Sequence, residues 1–417
     1  MQTYRVKSIS EYLSIIESKE MSEFAYRGQN EPYFSIEANG FRPYMGGWDS
    51  DKIVDMDYLH KAFYNRVVGQ ISEHEKSFFL AFCQHYGIPT NLVDMSYSPL
   101  VALFFACEGK GIQKFSIEDF LESSSIDDLE KDVSLQEAFI HNLVNQAKKP
   151  FYSKYAQIYM IKKERLINIT DIVVELNGKN LFDEITSNEK IALMLLDSLA
   201  NHFSTIENDM LIEWVNNLLS VYCSVFEVYG ETDWNDPVYI EIKKNISKKV
   251  VFQEKGYYRI FELIRDEYFV PKGFSQLISE NSNRLKGDMY QLFLSKLYFG
   301  LIVKTIEVLK NFPRKINIDL DVYFTYQAPE LFDRITNQRS FFIYQPYVFV
   351  NDGVYDYGEL NLQQIKPDVQ IEVENYSKIL EELDQMGINR GSIYGDIDNV
   401  AKSIIRSSSR LLKANLT

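Results

Sequence analysis

The stretch Gln84-His85-Tyr86-Gly87-Ile88-Pro89-Thr90-Asn91-Leu92-Val93-Asp94-Met95-Ser96-Tyr97-Ser98-Pro99, continued by LVALFFAC (Leu100–Cys107), carries the sharpest change of texture in the chain. Gly87 and Pro89 break the helical pattern before them, and a short apolar strand follows. A new helix then starts with Ser98 at an N-cap position and Pro99 at N1, where a missing N–H costs nothing. Ala102, Phe105 and Ala106 put small and large apolar residues along that helix. A helix, a strand and a helix in immediate succession, with polar side chains bracketing the strand, predict a mixed α+β core.

Upstream, Ser8-Ile9-Ser10-Glu11 has capping-box spacing and opens a helix with Tyr12, Leu13, Ile15 and Ile16 at helical period. FAYRGQ (Phe24–Gln29) reads as a short strand, and Tyr58 to Tyr86 as a helix with Phe63, Val67, Phe78, Phe79 and Phe82 in its core face. Downstream, AQIYMI (Ala156–Ile161) alternates like a strand. From about Lys163 to Asn311 the pattern is helical. Thr186-Ser187-Asn188-Glu189 forms a second capping box before IALMLLDSLANHF, DMLIEWVNNLLSVYCSVFEVYG continues at helical period, and a long amphipathic helix runs from Asp288 to Leu309. No fixed-period similarity marks a solenoid. Strand-like runs return at Ile316–Tyr326 and Arg339–Val350, and helices are expected over Tyr376–Met386 and about Ile397–Leu412. The expected organisation is a strand-bearing core in two parts, 1–162 and 316–417, interrupted by a helical insertion over 163–315 large enough to hold a core of its own.

Composition limits the function classes. Among 417 residues, 44 Lys plus Arg stand against 59 Asp plus Glu, a formal net charge of −15. That balance argues against broad, sequence-blind nucleic-acid binding, although a local basic groove fits inside an acidic total. Three scattered cysteines (Cys83, Cys107, Cys223) make no disulfide framework, and the five histidines offer no paired spacing for zinc, so no metal is expected. The N-terminus lacks a signal-peptide apolar run, and no window reaches the roughly 18 apolar residues of a membrane span. The expectation is a cytoplasmic protein with no membrane contact.

Three segments carry polar side chains that packing does not ask for. In Tyr26-Arg27-Gly28-Gln29, a guanidinium offers a planar fork to a phosphate and glycine admits close approach; equally, Arg27 fits a pairing with a buried acid or a carbonyl. In the quoted central stretch, free amides at a helix N-terminus together with the Ser96 and Ser98 hydroxyls suit an anion or carbonyl. Against that, Ser98 serves simply as a cap, Asp94 as a turn residue and His85 as a core histidine. In Arg334-Ile335-Thr336-Asn337-Gln338-Arg339-Ser340-Phe341-Phe342, Gln338 can donate and accept, or make an edge contact to backbone. P-loop, dinucleotide-fold and G-x-S-x-G signatures are absent from the sequence, and Cys83 and Cys107 fall on apolar helix faces.

At these segments the chain resembles the FRG-domain family, named for an aromatic-Arg-Gly motif. Tyr26-Arg27-Gly28-Gln29 matches that motif, and Phe41-Arg42-Pro43 resembles the arginine that follows it. His85 through Thr90 with Leu92-Val93-Asp94 resembles the family's Q-H-x-G-x-P-T-R-L-L-D core, and Ser98 to Ala106 the helix after it. Arg334, Gln338 and Phe342 resemble its later R-x-x-x-Q stretch, and Gly387-Ile388 with Tyr394-Gly395-Asp396-Ile397 its terminal piece. Asn91 stands where the family has arginine and Met95 where it has tryptophan.

The order of motifs is similar to ADP-ribosyltransferases, which implies an ADP-ribosyltransferase-like α+β fold. By that resemblance Arg27 binds the diphosphate of NAD, Ser96 orients the nicotinamide ribose and Gln338 stands where those enzymes carry a late acid. These three are the implied catalytic residues, with Tyr26, Gly28, His85, Thr90, Asp94 and Ser98 around the nucleotide ligand. NAD is the implied cofactor, and a bacterial toxin or phage-defence effector that modifies a macromolecule is the implied role. The rival expectation is a non-catalytic sensor that recognises a ligand or phage protein through the core and contacts a protein partner through the helical insertion. A nuclease is disfavoured by the charge and by the missing metal cluster.

Overall fold

The computed structural model describes residues 2–30, 36–42, 55–109, 155–227, 236–246, 254–266, 288–311, 316–329, 331–350 and 359–395. Pro43, Asp396 and the helix expected over Ile397–Leu412 lie outside the described residues. Among those described, eight strands form one mixed sheet. Its order is β1 (Gln2–Val6), β10 (Val369–Val373), β4 (Ala156–Lys162), β2 (Phe24–Gln29), β3 (Leu92–Ser96), β7 (Ser340–Tyr344), β6 (Tyr323–Tyr326) and β5 (Leu166–Asn168). The β1–β10 and β5–β6 pairs are parallel and the rest antiparallel. A separate antiparallel pair joins β8 (Tyr347–Val350) to β9 (Glu359–Leu362). The α+β expectation holds, with both chain ends contributing strands.

Several elements differ from the sequence reading, each for a local reason. The helix expected over Tyr58–Tyr86 is three helices, α2 (Met56–Val67), α3 (Glu73–Ser77) and α4 (Phe79–His85). The break is fixed by a capping box, in which Ser72 Oγ accepts from the Glu75 amide at 3.2 Å and the Glu75 carboxylate accepts from the Ser72 amide at 2.7 Å. The run Ile316–Tyr326 is strand only over β6. Asp321 before it takes a left-handed φ of 58°, which no extended strand contains. The run Arg339–Val350 splits at Gln345-Pro346, where proline cannot donate to a ladder, so β7 stays in the main sheet while β8 leaves it. The short strands β1, β5, β9 and β10 were not expected.

The helical segment contributes α6 (Thr170–Leu176), α7 (Leu181–Glu184), α8 (Glu189–Phe203), α9 (Asn208–Glu227), α10 (Pro237–Ile246), α11 (Glu254–Asp266) and α12 (Met289–Asn311). The cap of α8 is Asn188, not Thr186: Asn188 Oδ1 accepts from the Lys190 and Ile191 amides, while the Thr186 hydroxyl donates back to the Asp183 carbonyl at 2.9 Å. The buried residues of this block, Leu195, Leu199, Leu218 and Leu297 among them, form one cluster with Leu92, Phe342, Tyr344, Phe324 and Tyr326 of the sheet. The helical core is therefore continuous with one half of a sheet face.

The other half of that face, through Tyr26, Ile158, Met160 and Ile371, is covered by α1 (Ile9–Ser18) and α5 (Pro99–Cys107), and by α14 (Tyr376–Gln385), which follows α13 (Asp333–Asn337). The opposite face carries Ala25, Val93, Met95, Phe341 and Ile343 in a third cluster. Between the two covered halves lies a fork. β2 pairs with β4 along its length, from Phe24 opposite Lys162 to Gln29 opposite Gln157, and β3 pairs with β7 from Leu92 opposite Tyr344 to Ser96 opposite Ser340. β2 and β3 themselves meet at one position, Tyr26 opposite Ser96. A sheet opened along its middle exposes backbone and leaves a wedge of space, and the candidate site fills that wedge.

Arg165, on the connection from β4 to β5, ties that connection to β6 and to the residues just before β6 and β10. Its three nitrogens all donate: Nε to the Asp321 carbonyl at 2.6 Å, Nη1 to Asp368 Oδ1 at 3.1 Å, and Nη2 to the Tyr323 hydroxyl at 2.8 Å.

Candidate functional site at the strand fork

At the fork a cavity of about 330 Å³ opens on the helix-covered face. That is at the small end of the roughly 300–1,000 Å³ typical of ligand sites. Seven of the nine residues singled out in the sequence line it: Tyr26, Arg27 and Gly28 from β2, His85 from the end of α4, Asp94 and Ser96 from β3, and Gln338 from the end of α13. Thr90 and Ser98 do not. Thr90 is fully buried behind the wall, and Ser98 is the N-cap of α5, its Oγ accepting from the Val101 amide at 3.4 Å.

Arg27 reaches across the fork. Its Nη1 donates to the backbone carbonyl of Asp94 at 2.7 Å, while its Nε is buried with no hydrogen-bond partner among the described residues. Burial pushes the guanidinium down to about 10, with Asp94 working in the opposite direction. The group is still a cation at neutral pH. An unpaired buried donor on a charged side chain is costly unless something meets it, so the site favours an anion here.

Arg334, on α13, supplies a second cation to the same cavity. Its guanidinium lies over the Tyr394 ring at 4.5 Å, and its Nε is likewise buried and unpartnered. Tyr394 sits on α15 (Arg390–Tyr394), where its hydroxyl donates to Glu108 at 2.9 Å. Burial and Glu108 together push Tyr394 up to about 12, so it is a neutral platform for the arginine.

Gly28 has a reason other than ligand approach. A Cβ there would sit 1.8 Å from the Ala102 carbonyl oxygen and 2.5 Å from the Ala106 amide nitrogen. The glycine is required because the α5 backbone lies directly on β2. Ala102 and Phe105 of that helix then form part of the cavity wall.

Ser96 fixes the third side of the site. Its hydroxyl donates to the Gln338 backbone carbonyl at 2.6 Å and accepts from the Ser98 amide at 2.9 Å. The hydroxyl therefore ties β3 to the end of α13 and to the start of α5. Arg339, at a left-handed φ of 45°, turns the chain from α13 into β7 and leaves Gln338 at the cavity wall. The Gln338 carboxamide makes a long contact, Nε2 to the Ile393 carbonyl at 3.4 Å.

Aromatic rings complete the lining. The His85 imidazole stacks on Phe332, centroids 3.7 Å apart and planes within 2°, and Phe105 and Phe342 add apolar surface. The cavity thus combines two cations, flat apolar rings and a few convergent polar groups, a set that matches an anionic ligand with an aromatic or ring-bearing portion. The sequence motifs include Gln84 and Arg334 without a role for either, and Phe332 carries no sequence signal. Gln84 carries a usable signal, since it immediately precedes His85 and reaches Asp94 across one helix-to-strand turn.

Elsewhere, Cys83 and Cys107 are buried, and burial pushes both thiols up to about 12, which keeps them protonated. No group of three His, Cys, Asp or Glu side chains converges as metal ligands among the described residues, and no described helix is long and apolar enough to cross a membrane.

In comparisons with known proteins, the family model described as FRG domain matches residues 22–114, from just before β2 to just beyond α5. No curated protein and no solved structure gave a significant match. The matched segment supplies Arg27, His85, Asp94 and Ser96 to the cavity, while Arg334 and Gln338 come from outside it. Over β2, β3 and α5, the elements that build the fork, this chain is similar to the FRG-domain family.

Proposed function

We propose that the fork cavity binds a dinucleotide of the NAD type and that the chain is an ADP-ribosyltransferase-like effector, a toxin or phage-defence factor, that modifies a macromolecule. The observation that carries this reading is the convergence of Arg27, Ser96 and Gln338, three residues far apart in sequence, on one cavity. The residues present suit such a substrate. The guanidinium groups of Arg27 and Arg334, which line the cavity, would hold the diphosphate, and the rings of Phe105, Phe332 and Phe342 would bed a base or a nicotinamide.

One observation favours a binding-only reading. Gln338 supplies a dipole where an acid would supply charge, and a neutral carboxamide stabilises a cationic transition state less well. In that reading the cavity recognises the nucleotide and the helical block, with Ile240, Tyr258 and Met289 exposed on it, contacts a protein partner.

Labelled NAD incubated with the purified chain and a bacterial lysate separates the readings. Transfer of label to protein or nucleic acid by the parent, lost in Arg27→Ala, supports a transferase. Calorimetric binding without transfer supports a sensor. Absence of both would overturn the nucleotide reading.

A further inference from the structure

We propose that Asp94 is the catalytic carboxylate of the fork cavity, held in place by a relay from Thr90 through Gln84; this rests on the transferase reading above. Asp94 is the one acidic side chain that lines the cavity among the described residues. It is also the one exposed position in a strand whose other members are all buried. A carboxylate in the middle of a central sheet strand has no packing role, and here it lies beside Arg27 on a cavity that Arg334 also lines.

The relay has a fixed direction. The Leu92 amide donates to Thr90 Oγ1 at 3.2 Å, so the hydroxyl proton is free to donate onward to Gln84 Oε1 at 2.5 Å. With its oxygen accepting, Gln84 must turn its Nε2 outward, and that group donates to Asp94 Oδ2 at 3.0 Å. A backbone amide thus sets the rotamer of a hydroxyl, then of a carboxamide, and finally of the carboxylate. The bond that arrives at Asp94 fixes the orientation of its carboxylate. Oδ1 meets no hydrogen-bond donor among the described residues, which leaves it for substrate. Thr90 and Gln84 are positioning residues. Their polar side chains, next to an apolar strand, are explained by what they do to Asp94.

The step balances without a further reactant. The bond between the ribose C1′ and the nicotinamide nitrogen breaks, and its electron pair goes to that nitrogen, neutralising the pyridinium. A lone pair of the acceptor's oxygen or nitrogen forms the new bond to C1′. The proton that the acceptor loses passes to Asp94 Oδ1 and then to water. While positive charge sits on the sugar, the Asp94 carboxylate is the acidic side chain lining the cavity, so the charge that Gln338 cannot supply comes from the neighbouring strand.

The test measures NAD binding by calorimetry and nicotinamide release by chromatography on the same preparations. Asp94→Asn is expected to keep NAD affinity within about threefold while kcat falls at least about a hundredfold. Asp94→Glu, which restores the charge, should recover part of that loss. Thr90→Val and Gln84→Ala should each lower kcat by about tenfold with KM little changed, a split that a general loss of folding would not give. Asp94→Asn releasing nicotinamide at the parental rate overturns the assignment and leaves the transferase reading standing. Loss of NAD binding in Asp94→Asn, with an unchanged melting temperature, also overturns it by making Asp94 a binding residue. A parent that binds NAD without releasing nicotinamide overturns both the assignment and the transferase reading. A parent that does not bind NAD removes the nucleotide reading on which both rest.

Discussion

Two arginines of this chain sit inside the molecule and do opposite things. Arg165, on the connection from β4 to β5, has every nitrogen engaged by the Asp321 carbonyl, Asp368 and Tyr323, and two carboxylates balance its charge. Burial opposes that charge, but Tyr323, Asp368 and Asp321 outweigh it and raise the Arg165 pKa. Arg27, at the fork, has one bond to a backbone carbonyl, an unpartnered Nε and a pKa pushed down by burial to about 10. The difference teaches how to separate a structural cation from a functional one. Full satisfaction means the fold uses the charge; a buried shortfall means that something outside the chain is meant to complete it.

The comparison is most severely tested by Arg165→Met. It leaves Asp321 and Asp368 without their counter-charge, and loss of one partner of such a buried set costs about 3–5 kcal/mol. Denaturant unfolding should show it, and a loss near zero would make Arg165 as dispensable to the fold as the comparison says Arg27 is. Arg27→Ala should behave in the converse way. Removing a hydrogen-bonding cation from an anion site costs about 1.5–3 kcal/mol of binding, roughly ten- to a hundredfold in affinity for NAD by calorimetry, with a smaller change in unfolding free energy. Equal affinity in parent and variant would break the functional half of the contrast.

Gly28→Ala sharpens it further, because it perturbs the fork without touching either charge. The added methyl meets the α5 backbone, so a destabilisation of about 1–3 kcal/mol is expected by thermal or chemical unfolding. A neutral result would mean that α5 can lift from β2. The smallest effect is the pH response. Burial, partly offset by a hydrogen bond to a backbone carbonyl, lowers the pKa of His60 and of His202 below their ordinary value near 6.5. In that window the unfolded chain binds protons that the folded chain does not, so stability is complete above the unfolded value and falls as pH drops through it. Unfolding at about pH 8 and about pH 5.5 should show lower stability in acid, with a shallower fall in His202→Gln. Acid-strengthened folding over this range would contradict it.

Much of the site was legible before any coordinates, for physical reasons. An arginine inside an aromatic strand and a carboxylate inside an apolar one are local conflicts with packing, and such conflicts concentrate where a chain does something besides fold. Arg27, His85, Asp94, Ser96 and Gln338 stand out in the sequence as polar side chains beside apolar runs or by resemblance, and all five line the cavity. Thr90 and Ser98 lie outside the cavity lining, and a hydroxyl that supports a wall looks in sequence like one that lines a site. Phe332 is not legible in the sequence, since a phenylalanine before a helix violates no local rule.

The sequence by itself determined the α+β class, the helix starting at Ser98–Pro99, the strands at Phe24, Leu92 and Ala156 and the helical texture of the middle, because caps, prolines and apolar periodicity act over a few residues. Tertiary structure alone decided that β2 and β3 touch at one position and then part, that α5 lies so close that Gly28 has no alternative, and that Arg334 joins Arg27 in one cavity. It also decided that Arg165 is saturated and Arg27 is not. Strand order and the satisfaction of buried charges depend on partners hundreds of residues away, and nothing in the local pattern of a chain records them.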